Sequence, residues 1–128
     1  MTDAISISGS GMTVHRKWLD AIADNLANAN TVKATNGPAF QERYVLAQEG
    51  QGTSGVAATA AFGDAAGTLV HEPTHPLADA DGYVRYPDID MAEQMGHLIM
   101  AQRGYQANAA VVDRAKTAYE AALQIGRG

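Results

Sequence analysis

Large apolar residues return every seven positions near both ends of this chain and become sparse in its middle. Ile5, Met12, Leu19 and Leu26 form one such row, with Ile22 and Ala23 on the same side. That spacing, kept over about three heptads, is the signature of a helix that packs lengthwise on other helices. Met91, Leu98, Tyr105, Val112 and Tyr119 repeat the device, and Met95, Ala101, Ala109, Ala115 and Ala122 fill the adjacent row. Small residues beside large ones permit close helix approach. Ile89, Ile99, Val111 and Ile125 lie off this seam. They predict a second apolar edge, and so more than one packing neighbour.

The helical pattern covers residues 3–31 and 88–125, while every proline lies between residues 36 and 87. Short strands are predicted around Arg43–Ala47, Val56–Phe62, Thr68–His71 and Gly82–Tyr86, with Asp81-Gly82 a turn before the alternating Tyr83-Val84-Arg85-Tyr86. Residues 50–81 carry only Val56, Phe62, Leu69, Val70 and Leu77 as large apolar side chains, too few for a separate core. The expected fold is therefore mainly α with a small β-rich insertion. Residues 1–35 and 88–128 would pair as a long antiparallel coiled coil, and residues 36–87 would form the insertion. Gly9 and Gly11 weaken the start of the first helix, each by about 1 kcal/mol relative to alanine, so a late beginning is expected there. Asn25, Asn28, Asn30 and Thr31 crowd its other end, where asparagine tolerates the conformation that closes helices.

Composition sharpens this picture. Although 46% of residues are apolar, 25 are alanine, and Leu, Ile, Val and Phe together number only 23 of 128. That share falls below the roughly one-fifth mark under which a chain starts to look unable to fold alone. Alanine favours helix but removes little apolar area from water. The expectation is a loosely folded monomer, or a chain that completes its folding against partners. A net charge of −5, with no basic run beyond His15-Arg16-Lys17, argues against nucleic acid as a partner. No apolar run is long enough to span a membrane, and the first residues show no cleaved secretory signal.

Candidate chemistry is thin. His71, Glu72 and His75 match H-E-x-x-H, which would suggest a zinc-dependent hydrolase if the stretch were helical. Pro73 and Pro76 oppose the helix that would bring both histidines to one face, so a rigid loop is the stronger reading. Asp79, Asp81, Asp88 and Asp90 miss the spacing of a calcium loop. With no cysteine, no phosphate loop and no nucleophile motif, neither a catalytic residue nor a cofactor is expected. A small helical adaptor inside the cell is the other non-enzymatic alternative.

Three stretches carry a family resemblance. Asn25-Leu26-Ala27-Asn28-Ala29-Asn30-Thr31, with the preceding Asp20–Asp24, is similar to the N-terminal signature of bacterial flagellar axial proteins. Pro73-Thr74-His75-Pro76-Leu77-Ala78-Asp79-Ala80-Asp81-Gly82-Tyr83-Val84-Arg85-Tyr86-Pro87 resembles the motif of the FlgC family of proximal rod proteins, which sets it apart from the sister protein FlgB. Glu93-Gln94-Met95 and Ala101–Asn108 look like that family's C-terminal helix. The resemblance implies a structural rod subunit that transmits torque from motor to hook and helps line the export channel. It implies FlgB, FlgF and further copies of the chain as neighbours. It also implies passage through the flagellar type III export apparatus without a cleaved signal, and residence in the periplasmic part of the basal body. Carried onto this sequence, subunit packing would fall to Ile5, Met12, Leu19, Ile22, Asn25, Leu26, Asn28, Thr31, Met95, Leu98, Arg103, Tyr105, Asn108, Val112 and Tyr119. Pro73, His75, Pro76, Asp81, Gly82, Tyr83, Tyr86 and Pro87 would shape the loop after the β part. Val56–Phe62 departs from the family pattern, being rich in alanine where valine and isoleucine usually alternate.

Overall fold

A computed structural model describes residues 2–127. Helix α1 runs Thr2–Asn28, followed by strands β1 (Arg43–Glu49), β2 (Val56–Phe62), β3 (Thr68–His71) and β4 (Tyr83–Tyr86), then helix α2 (Met91–Arg127). Two long helices with a small β insertion between them are thus present. The expected late start of the first helix is corrected: α1 passes through Ser8-Gly9-Ser10-Gly11 without a break. The Ser10 hydroxyl donates to the Ile7 carbonyl at 2.6 Å, and Gly11 is buried against the Asn108 side chain. Packing there outweighs the helix propensity of glycine.

The alanine-rich Val56–Phe62 does form a strand, paired with β1 in a two-stranded sheet. Backbone bonds Gly50 N–Gly55 O and Gly63 N–Glu42 O, both 2.7 Å, lie just beyond its two ends. Strands β3 and β4 make a second, antiparallel pair with Thr68 opposite Tyr86, Val70 opposite Val84 and His71 opposite Tyr83. Lys33 and Arg85 exchange backbone bonds of 2.8 Å, adding one residue to the free edge of β4. Helix α2 is capped by Asp90, whose carboxylate accepts from the amides of Ala92 (2.8 Å) and Glu93 (3.2 Å).

The chain resolves into two compact units: Met1–Leu19, Val45–Thr59 and Ile99–Gly128 (unit 1), and Asp20–Tyr44 with Ala60–Leu98 (unit 2). In unit 1 the buried apolar side chains are Val14 and Ala101; in unit 2 they are Ala21, Ile22, Ala29, Ala39 and Val84, among the described residues. Both cores are small, and alanine supplies three of the five buried apolar side chains in unit 2 and one of two in unit 1.

Candidate assembly surface

In unit 1 a buried row Ser8, Gly11 and Val14 runs along α1, and the predicted Ile5, Met12 and Leu19 flank it half-buried. On α2, Ala101 is buried, while Gly104, Tyr105, Asn108, Val112 and Ala115 continue a half-buried stripe. The contact centres on four residues. A Cβ placed on Gly11 would lie 2.9–3.0 Å from the side-chain amide atoms of Asn108. One placed on Gly104 would collide with the His15 ring. His15 Nδ1 donates to the Gly11 carbonyl at 2.8 Å, and Asn108 Nδ2 donates to the Gly104 carbonyl at 3.0 Å. Gly55 brings the β1–β2 turn onto the same helix: its φ is +75°, and a Cβ would strike the Ser10 hydroxyl. That hydroxyl accepts from the Val56 amide at 3.0 Å.

Unit 2 is built on buried amides. Asn25 and Gln94 are each 1% exposed. Asn25 Oδ1 accepts from the Arg43 amide at 2.7 Å, and its Nδ2 donates to the Arg43 carbonyl (2.9 Å) and to Gln94 Oε1 (3.1 Å). One side chain therefore satisfies both backbone groups of Arg43, as a neighbouring strand would, and pins β1 to α1. Gln94 Nε2 donates to Glu42 Oε1 at 2.5 Å, and Glu42 Oε2 accepts from the Tyr44 hydroxyl at 2.5 Å. That carboxylate pushes the Tyr44 phenol up to about 12, chiefly through the hydrogen bond and then through desolvation and its charge. Asp24 pairs with the Arg43 guanidinium at 2.5 Å, though both are about half exposed and the pair adds little stability.

The loop motif sits in unit 2. Gly82 has φ +85°, and a Cβ there would come within 2.9 Å of His71 Nε2 and 3.0 Å of Pro73 Cβ. Asp79 Oδ1 accepts from the amides of Asp81 (3.0 Å) and Tyr83 (2.9 Å), and its Oδ2 accepts from the Thr35 hydroxyl (2.9 Å). These bonds, the Tyr83 amide first, hold its carboxyl below the usual range. Tyr86 donates to Glu72 Oε1 at 2.8 Å, and that bond raises its phenol. Arg85 reaches the carbonyls of Ala66 and, at 2.9 Å, Thr35, tying two loop segments to β4. Gly82 and Pro87 are buried, His75 and Tyr86 half-buried, and Pro73, Pro76, Asp81 and Tyr83 exposed.

His71, Glu72 and His75 do not converge. His71 stands edge-on to Tyr83 with ring centres 5.0 Å apart, Glu72 holds Tyr86, and His75 Nδ1 accepts from the Leu77 amide at 3.0 Å. Among the described residues no group of three or more His, Cys, Asp or Glu could hold a metal ion.

The remaining predicted packing residues fall into two sets. In unit 2, Ile22 and Asn25 are buried, and Leu26, Asn28, Thr31 and Leu98 half-buried; Asn28 and Thr31 close α1 through Thr31 N–Asn28 O (3.1 Å) and Thr31 Oγ1–Asn28 Oδ1 (3.2 Å). Met95 in unit 2, and Arg103 and Tyr119 in unit 1, are exposed. Large apolar residues stay open along α2: Met91 and Met95 in unit 2, and Ile99, Met100, Val111, Tyr119, Leu123 and Ile125 in unit 1. From Lys116 to Arg127 every residue is exposed. Exposed large apolar side chains in such number are the kind of surface that association can bury. Sequence reasoning did not assign the roles of Gly11, His15, Gly104, Glu42, Gln94 and Arg85. For the first three a signal existed, a glycine four residues before a polar side chain on each helix.

The comparisons place this chain among proteins of the flagellar rod. A family model described as flagella basal body rod protein matches residues 5–35, and the C-terminal model of flagellar basal body rod FlgEFG proteins matches residues 80–125. The flagellar basal-body rod protein FlgC of Salmonella typhimurium is 36% identical over 132 residues, covering 99% of this chain and 98% of its own. The FlgC proteins of Bacillus subtilis and Borreliella burgdorferi are 29% and 27% identical, each covering at least 97% of both chains. The chain belongs to the FlgC family of flagellar basal-body rod proteins, a structural rather than an enzyme family.

Proposed function

We propose that this chain is a subunit of the proximal rod that carries torque from motor to hook and helps enclose the export channel. In this reading residues 1–35 and 88–128 form an antiparallel coiled coil that packs against its neighbours, and residues 36–87 form the insertion. The direction of pairing is supported within unit 1: four residues forward from Gly11 to His15 correspond to four residues back from Asn108 to Gly104. The packing residues named above from the sequence meet neighbouring subunits, including FlgB, FlgF and further copies of the chain. The flagellar type III apparatus exports the subunit without a cleaved signal, and it resides in the periplasmic part of the basal body.

The observation that carries this reading is the exposed stretch from Lys116 to Arg127, which bears Tyr119, Leu123 and an Ile125 that is 81% exposed. An uncovered segment with apolar residues on it gains stability by burying them against other subunits. Many such contacts, individually weak, sum to a stiff assembly able to bear torque. Deleting the gene tests the assignment. Loss of swimming together with basal bodies lacking a complete rod is expected; a motile deletion strain with complete basal bodies would contradict it.

A further inference from the structure

Apolar rows that repeat every seven residues do not by themselves choose an alignment. Sliding α1 along α2 by one heptad sets Leu, Met and Ala against Leu, Tyr and Ala again, with little change in apolar burial. Yet the contact in unit 1 contains four residues that do not tolerate such a slip. His15 occupies the space that a side chain at Gly104 would need, and Asn108 occupies the space that one at Gly11 would need. Moving by seven residues would set His15 against His97 or Val111, and Asn108 against Ala4 or Trp18. Each of those residues has the Cβ that the present partner lacks.

We infer that Gly11 and His15 on α1, with Gly104 and Asn108 on α2, form a reciprocal lock that selects one register of the paired helices. The inference rests on the antiparallel pairing proposed above. Both polar side chains are held ready by their own helices, since each donates to the carbonyl of the glycine four residues earlier. The direct approach of Asn108 Nδ2 to His15 Nδ1, at 3.5 Å, is too long to contribute much. Selectivity therefore comes from shape: a glycine notch on each helix receives a fixed polar knob from the other. Polar residues at seam positions commonly specify register at some cost in stability.

The cysteine-free sequence makes the test direct. Ala4→Cys with Ala115→Cys reports the present register, and Ala4→Cys with Ala122→Cys reports a slip of one heptad. In the otherwise unchanged full-length chain, oxidation is expected to join the first pair and not the second. With His15→Ala and Asn108→Ala both added to chains that also carry Gln94→Ala, which releases the Asn25–Gln94 bond that joins α1 to α2 in the same alignment, both pairs are expected to cross-link. If the first pair fails in the unchanged chain, the antiparallel pairing itself is wrong. If it forms and remains the only product after these substitutions, the pairing stands and the lock is refuted. Melting temperatures give a second readout that does not need the cysteines. Gly11→Ala and Gly104→Ala should each lower the melting temperature, and His15→Ala should restore much of the Gly104→Ala loss. Gly9→Ala, which meets nothing within 4 Å, should raise it. A Gly11→Ala variant as stable as Gly9→Ala would overturn the lock.

Discussion

Unit 2 and the later part of α2 in unit 1 differ in what their side chains bind. In unit 2 few large apolar side chains are buried, yet Asn25, Gln94, Glu42 and Arg85 bind backbone and one another until the β strands are fixed in place. From Lys116 to Arg127 every residue of α2 is exposed, Tyr119, Leu123 and Ile125 among them. Both regions leave large apolar residues exposed, Met91 and Met95 among them in unit 2, but only unit 2 also has a buried polar network that fixes its strands. The composition alone does not separate these two outcomes.

The largest effect that would test this contrast is expected at Asn25. Asn25→Ala strands both backbone groups of Arg43 and the Gln94 amide oxygen, and should cost about 3 kcal/mol or more in chemical denaturation. Next comes Gly67, with φ +58° and a Cβ position blocked by the Tyr86 carbonyl and Ala39. Gly67→Ala should cost about 2–3 kcal/mol, whereas Gly52→Ala, at φ +62° with nothing within 4 Å, should cost about 1 kcal/mol. A smaller signal is expected at high pH. The Tyr44 phenol is raised from 10.0 to about 12, so its contribution is fully present below pH 10 and is lost as pH climbs through about 12. Tyr44→Phe should remove that loss from a melting series taken between those values. Least affected is the open region: Leu123→Ala should change the stability of the isolated chain by no more than about 0.5 kcal/mol.

Much of the element order was legible beforehand. The seven-residue rows identified both helices, and alternating residues after Asp81-Gly82 identified β4, because periodicity reports which face is buried. What the rows did not reveal is that the most buried line on α1 lies beside them. Ser8, Gly11 and Asn25 occupy it, residues whose burial depends on a partner far away in sequence. Gly9 and Gly11 look alike in the sequence, but one faces open space and the other receives Asn108. The Asn25–Gln94 contact joins residues 69 positions apart, which local patterning does not connect. In the loop motif Gly82 was readable as a turn, while Arg85 reads as an ordinary strand cation until its bonds to Ala66 and Thr35 are seen.

The central claim is that the open face of α2 is completed by other subunits of the rod. Leu123→Glu, introduced in place of the natural residue in the flagellated strain, tests it most directly. The account predicts an isolated chain that melts like the unaltered one, in a strain whose basal bodies lack complete rods under the electron microscope. Complete rods and undiminished swimming would contradict it.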